Sequence, residues 1–239
     1  GYRGPIGILG HTMDDAEDTL RDNLDGLDWL LAQLQGQETG PRPPLRVGQP
    51  VAKGVPSLSA PFGKALAGGI LEPGEEAYRT PPITVEARVR LNSSSNYNIL
   101  IACESKASGT HWELFTEPGS GALTLYAPGL DPDHVRTSAN LCDGTWRQVA
   151  MQFGPDHVRL FVDGVQLAEE SVQSRGMSSV PGGFAMGRLV EGGLTCDGEI
   201  DEVRLSRGIL PIVANDTPLK REDSTLALWN FDELGQTSY

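Results

Sequence analysis

The chain is poor in the residues that announce chemistry. Three cysteines occur in 239 residues, none in a CxxC pair, so a cysteine-based zinc site is excluded as a motif. The four histidines, His11, His111, His134 and His157, lie far apart in sequence, without HExxH or any paired-ligand spacing, and no GxSxG occurs. Basic residues number 19 against 32 acidic ones, a net charge of −13, which argues against a phosphate backbone as partner. No run approaches the roughly 20 apolar residues of a membrane-spanning helix, so membrane insertion is not expected. Aromatic residues make up only 6 %, too few for a broad sugar-stacking surface.

Glycine (29) and proline (17) are plentiful, as a fold with many turns requires. The clearest stretch is Cys142–Glu170. Val149, Met151 and Phe153 alternate with polar neighbours; Gly154-Pro155-Asp156 breaks the chain; Val158, Leu160 and Val162 alternate again. Asp163-Gly164 then forms a two-residue hairpin loop in which both residues need positive φ, and Val165 and Leu167 are expected to resume the apolar face. Ile83–Leu91 alternates in the same way. Shorter strands are expected at 99–103, 112–116, 122–126, 184–189, 198–205 and 225–231. Ten to twelve strands with turn signals every 8–12 residues predict an all-β antiparallel jelly-roll sandwich.

Ahead of this domain, Thr12–Gln35 predicts an amphipathic helix. Thr12 is its N-cap, four acids crowd the first turn, and Gly36 is the stop. Leu20, Leu24, Leu27, Leu31 and Leu34 form a narrow seam that must pack, either on the β domain or on another subunit. The expected organisation is an arm and helix over 1–38, a Pro-rich linker over 39–56 and the sandwich over 57–239. Cys142-Asp143-Gly144 and Cys196-Asp197-Gly198 occupy equivalent strand-entry positions. Cys142 and Cys196 therefore pair as a disulfide or remain buried thiols.

The order ITVEARVRL, WELF, DGTWRQVAMQF, VRLFVDGVQLA, FAMGRL, GEIDEVRLSRGIL resembles the bacterial laminin-G-like domains of the concanavalin A-like lectin/glucanase superfamily, from about Phe62 to Leu210. Thr225–Glu233 (TLALWNFDE) looks like the strand that normally opens such a domain. It is expected to pair within its own chain, with strand addition to a neighbouring subunit as the alternative.

The resemblance also implies what to look for chemically. Glucanases of the superfamily carry Glu-x-Asp-x-x-Glu on one strand as nucleophile and acid/base. Glu199-Ile200-Asp201-Glu202-Val203-Arg204 begins that pattern and ends on Arg204, and strand parity sends Glu202 to the face opposite Glu199 and Asp201. No catalytic residue is assigned. Laminin-G-like domains often hold Ca²⁺ on the rim, which here points to Glu72, Asp197 and Asp201 as ligands. For a glycan, Tyr97, His111 and Tyr126 at strand ends are the candidate contacts, whereas Trp146 and Trp229 read as core. The leading expectation is a non-catalytic, secreted recognition module at the cell surface, binding glycan or protein through rim loops. The alternative is a structural subunit of a homo-oligomeric surface assembly, joined through the leucine seam and through Leu226, Leu228 and Trp229. Glycoside hydrolysis ranks third.

Overall fold

A computed structural model describes residues 16–37, 39, 40, 43, 55–57 and 60–232. The chain divides into two compact units, Gly1–Pro50 and Val51–Tyr239.

In the first unit, α1 spans Ala16–Leu34. The expected N-cap Thr12 lies outside the described residues, as does most of the expected linker over 39–56. Gly36 follows the helix at φ +72°, the left-handed conformation anticipated for its stop. Trp29 Nε1 donates to Gly40 O at 2.9 Å, folding the following chain back on the helix. Leu24 and Leu31 are exposed, Leu34 is 84 % exposed, and Leu27 is half-buried. The side chain of Leu20 lies outside the described residues.

The second unit is the sandwich. Its first half holds β1 (Val55–Ser57), β2 (Ala65–Ala67), β3 (Ile70–Pro73), β4 (Ile83–Leu91), β5 (Asn98–Cys103), β6 (Trp112–Thr116), β7 (Ala122–Tyr126), β8 (Leu130–Asp131) and β9 (His134–Asn140). Its second half holds β10 (Arg147–Phe153), β11 (His157–Val162), β12 (Val165–Ser171), β13 (Gln173–Ser174), β14 (Gly183–Met186), β15 (Gly198–Arg207) and β16 (Thr225–Trp229). One sheet runs β1-β2-β15-β4-β10-β11-β12, with β16 also paired to β15; the facing sheet runs β3-β14-β5-β6-β7-β9. Pairing within both is antiparallel.

The core between the sheets follows from alternation. Val85, Val89, Met151, Leu160, Ile200 and Leu205 from the first sheet meet Ile101, Trp112, Leu114, Leu125, Val135 and Phe184 from the second. Trp112 is wholly enclosed, and its indole N–H is satisfied by Tyr78 O at 2.9 Å.

The Asp163-Gly164 loop has φ +48° and +77°, as two positive-φ positions demand, and joins β11 to β12. Val165 and Leu167 do not resume the buried face: both are exposed. Leu160 pairs with Ala168 and Phe161 with Gln166, so a bulge at Leu167 shifts the register and hands the core-facing place to Ala168.

The terminal strand is settled within the chain. β16 pairs with β15 through Val203–Trp229, Arg204–Leu228 and Leu205–Ala227. Ala227 is buried, and Leu226 and Trp229 pack against the core. Between β15 and β16 the irregular segment 208–224 straps the outer face of the eight-stranded sheet. Gln152 Nε2 donates to Leu210 O at 2.7 Å, Arg88 Nη2 to Asn215 Oδ1 at 2.7 Å, and Arg204 Nη1 to Lys220 O at 3.0 Å. Thr84, Glu86, Arg88, Gln148 and Gln152 are consequently buried although they face away from the core.

Candidate functional site

Two regions concentrate polar side chains, one on the outer face of each sheet.

On the eight-stranded sheet, β15 carries the glucanase-like run. Glu199 forms an ion pair with Arg90, and Asp201 stands opposite Arg88. Between Asp201 and Arg204 the register with β4 shifts by one residue, a bulge in which Glu202 takes φ +52°. This corrects the parity expectation for Glu202. Its Oε2 accepts from Leu219 N at 3.0 Å and lies 3.6 Å from Arg88 Nε, on the same outer face as Asp201. The bulge also keeps Arg204 on that face, where its Nε and Nη2 donate to Glu86 Oε2 at 2.8 and 2.5 Å. Where the family's second carboxylate stands, this chain has a largely covered cation already neutralised by Glu86.

Asp201 is completely buried. The backbone N–H groups of Glu202 and Phe62 approach its carboxyl, yet neither oxygen makes a hydrogen bond of regular geometry. Burial, reinforced by the neighbouring Glu202, pushes its pKa up to about 7. Glu202 is raised as well, first by burial. The strap and Phe62, whose ring lies 4.7 Å from the Arg88 guanidinium, close this face over. It is a buried polar layer.

The six-stranded sheet differs. Cross-strand pairing sets Glu113 of β6 beside Tyr126 of β7, and Tyr126 beside His134 of β9. The His111 and Tyr126 ring centroids lie 5.8 Å apart, those of Tyr126 and His134 4.7 Å. Lys106 Nζ stands 5.8 Å from the Tyr126 centroid and 3.2 Å from Glu113 Oε1. His134 Nδ1 lies 2.8 Å from Asp133 Oδ1; this contact, first of all, lowers the Asp133 pKa. His111 is buried, and its Nδ1 is 3.0 and 2.9 Å from the carbonyl oxygens of Cys103 and Glu104. Carbonyls only accept, so Nδ1 carries a proton. Nε2 then faces Glu113 Oε2 at 3.5 Å.

Of the three expected ligand contacts, the structure brings His111 and Tyr126 together. Tyr97, 40 % exposed, stands at the other end of β6, its ring 5.6 Å from Phe115. Phe115, Ile99, Ala102 and Leu189 form a small second apolar cluster on this face. Lys106, Glu113 and His134 were missed in the sequence. β9 is too polar to announce itself as a strand, and without its pairing to β7 nothing places His134 beside Tyr126.

The expected metal ligands do not gather. Glu72 sits on β3 of the six-stranded sheet, Asp201 is sealed in the eight-stranded sheet, and Asp197 is exposed and accepts from Asn92 Nδ2 at 3.0 Å. Among the described residues, no three His, Cys, Asp or Glu side chains are placed to hold a metal ion. Trp146 is half-buried before β10, with the Arg90 guanidinium 5.5 Å from its ring, rather than in the core. An open pocket of about 460 Å³ is lined by Glu76, Ala77, Thr80, Pro81, Pro82 and Arg207 and offers no ring for stacking. No described helix is long and apolar enough to cross a membrane.

Two antiparallel sheets face to face, with the chain returning along the edge of the opening strands, define a lectin-type β-sandwich. A laminin G family model, described as the concanavalin A-like lectin/glucanases superfamily, matches residues 69–211, and the chain belongs to that superfamily. No curated protein matches it. Among solved structures it is similar to a candidate carbohydrate binding protein from Bacteroides ovatus, with 15 % identity and a TM-score of 0.55 over 74 % of this chain and 52 % of that one. The chain thus spans about half the length of that protein. It also matches the CBM40 of Ruminococcus gnavus IT-sialidase bound to α2,3 sialyllactose (14 % identity, TM-score 0.48, 61 % and 89 % covered). A third match is mouse laminin α1 chain domains LG4-5 (15 % identity, TM-score 0.41, 66 % and 48 % covered).

Proposed function

We propose that this domain is a non-catalytic recognition module, acting outside the cytoplasm, which binds a glycan on the outer face of the six-stranded sheet around Tyr126. One observation carries the reading: the partly exposed Tyr126 ring is set by strand pairing among His111, His134, Lys106 and Glu113. An aromatic body among hydrogen-bonding groups of both signs is what a sugar's apolar face and hydroxyls require. The opposite sheet supports the same reading, because Glu202 of its glucanase-like run is held by the strap at Leu219 and Arg204 occupies the place of a second carboxylate.

The test is a glycan array followed by calorimetry on the best binder. Tyr126→Ala and His134→Ala are expected to weaken binding at least tenfold in chains that remain folded, Tyr126→Ala with a lowered melting temperature because its ring packs on the Ile99–Phe115 cluster. A bound glycan whose affinity neither substitution alters places the site elsewhere; no binding to any glycan turns the search to protein ligands.

A second reading, assembly, retains one support. Leu24, Leu31 and Leu34 are exposed on α1, and a leucine seam of that kind suits a second helix. The strand that was its other support pairs within the chain. Light scattering on the full chain and on Leu31→Asp distinguishes an oligomer held by the seam from a monomer.

A further inference from the structure

The three cysteines are free thiols in the structure, and two of them share a neighbourhood. Cys142 lies just before β10, and Cys196 just before β15. Asn98 joins them: its Nδ2 is 3.5 Å from Cys142 Sγ, and its Oδ1 accepts at 2.8 Å from the backbone N–H of Asp197, the residue after Cys196. Cys196 belongs to the main core cluster and Cys142 packs against that same cluster. Cys142 is near enough for its charge to act on Cys196. Cys103 does not share this site; it lies in the core at the far end of β5 from Asn98, where the carbonyl beside it meets His111.

We infer that Cys142 and Cys196 are a modification site, oxidised to an intrachain disulfide by a small-molecule or protein disulfide. The two thiols are unequal, which sets the order of events. Cys142 is half-buried, whereas burial pushes the Cys196 pKa up to about 12. The Cys142 thiolate attacks one sulfur of the oxidant's disulfide and expels the other as a thiol, leaving a mixed disulfide on Cys142. Cys196 then loses its proton to solvent, and its thiolate attacks Cys142 Sγ and releases the second thiol. Two protein thiols become one disulfide, one oxidant disulfide becomes two thiols, and no other reductant or oxidant is consumed. The low thiolate fraction at Cys196 makes the second step the slow one.

The bond falls at a useful place. It closes the long loop between residues 142 and 196, tying the entry of β10 to the entry of β15. It also lies against Asn98, which anchors the Asn92–Asn98 loop through Ser93 O at 2.9 Å and Thr116 Oγ1 at 3.0 Å. Tyr97 is the residue before that anchor. Oxidation therefore stiffens the loop that carries the exposed tyrosine.

The experiment is to hold the full chain, still folded, in a buffer of oxidised and reduced glutathione and follow it by intact mass and peptide mapping. The expected result is the loss of two hydrogens, a Cys142–Cys196 cross-linked peptide, and a melting temperature raised by roughly 5–10 °C. Cys103→Ser is expected to leave all three unchanged, and Cys142→Ser to abolish them. Three free thiols after oxidation, a glutathione adduct on Cys142 that never closes, or a cross-link to Cys103 would each overturn the inference. Mapping the unsubstituted chain decides the matter even where a serine variant fails to fold. The readout is independent of any glycan.

Discussion

The indole of Trp229 lies nearly parallel to the ring of Phe184, centroids 5.0 Å apart and planes at 11°, although the two residues belong to opposite sheets. Tyr78 meets both rings edge-on, at 5.3 Å to Phe184 and 6.2 Å to Trp229. The last strand therefore contributes an aromatic to the space between the two sheets of its own chain. Trp229→Ala removes the stack and leaves a cavity, at an expected cost of about 3 kcal/mol. Urea denaturation checks it. Deleting residues 225–239 is expected to unfold the sandwich, and a folded, compact deletion product would show that β16 is dispensable.

Asp201 gives stability a sign with pH. Its folded pKa of about 7 lies above the ordinary aspartate value of 3.8, so the folded state holds a proton that the unfolded chain releases. The resulting stabilisation is complete below about pH 4 and is lost as pH rises through about 7. Glu202, also raised, acts in the same direction. Asp201→Asn keeps the shape without the charge. It is expected to stabilise the protein at pH 8 by on the order of 2 kcal/mol and to flatten the stability profile between pH 4 and 7. Denaturation curves across that range decide the matter; a variant less stable at pH 8, with the slope intact, contradicts the assignment.

Arg204→Glu restores the glucanase spacing from Glu199, yet no hydrolase is expected to emerge. The new carboxylate would face Glu86 under the strap, replacing a buried ion pair by two like charges. A loss of about 3–5 kcal/mol is expected, with no cleavage of β-glucan substrates. Reducing-sugar release above background would show that a substrate reaches this face.

The proton on His111 is readable directly. Two carbonyl acceptors at Nδ1 require an N–H there, so ring ¹⁵N NMR is expected to show Nδ1 protonated. His111→Ala leaves the Cys103 and Glu104 carbonyls unanswered and is expected to cost about 1–3 kcal/mol. A bare Nδ1 in the spectrum would reverse the assignment.

Much of this was legible in residue order. Alternation in Ile83–Leu91 and Val149–Phe153 marked the central strands of the eight-stranded sheet, because one buried face forces a period of two. Asp163-Gly164 marked its hairpin because few residues adopt positive φ without strain. Where reading by period failed, the cause was a bulge. One extra residue at Leu167 gave the place opposite Leu160 to Ala168, and another at Glu202 brought its carboxylate to the face of Asp201, since a single insertion reverses parity for everything beyond it.

The sequence by itself determined the fold class, the hairpin, the helix stop at Gly36 and the arginine, Arg204, at the position of the glucanases' second carboxylate. These depend on local backbone preference or on the identity of one residue at one position. Only the tertiary structure decided that β16 completes its own sandwich, that the 208–224 segment seals the acidic face, and that Tyr126 stands between His111 and His134. Those relationships join residues on different strands, and cross-strand register is fixed by how the two sheets bury their apolar faces together rather than by any spacing along the chain.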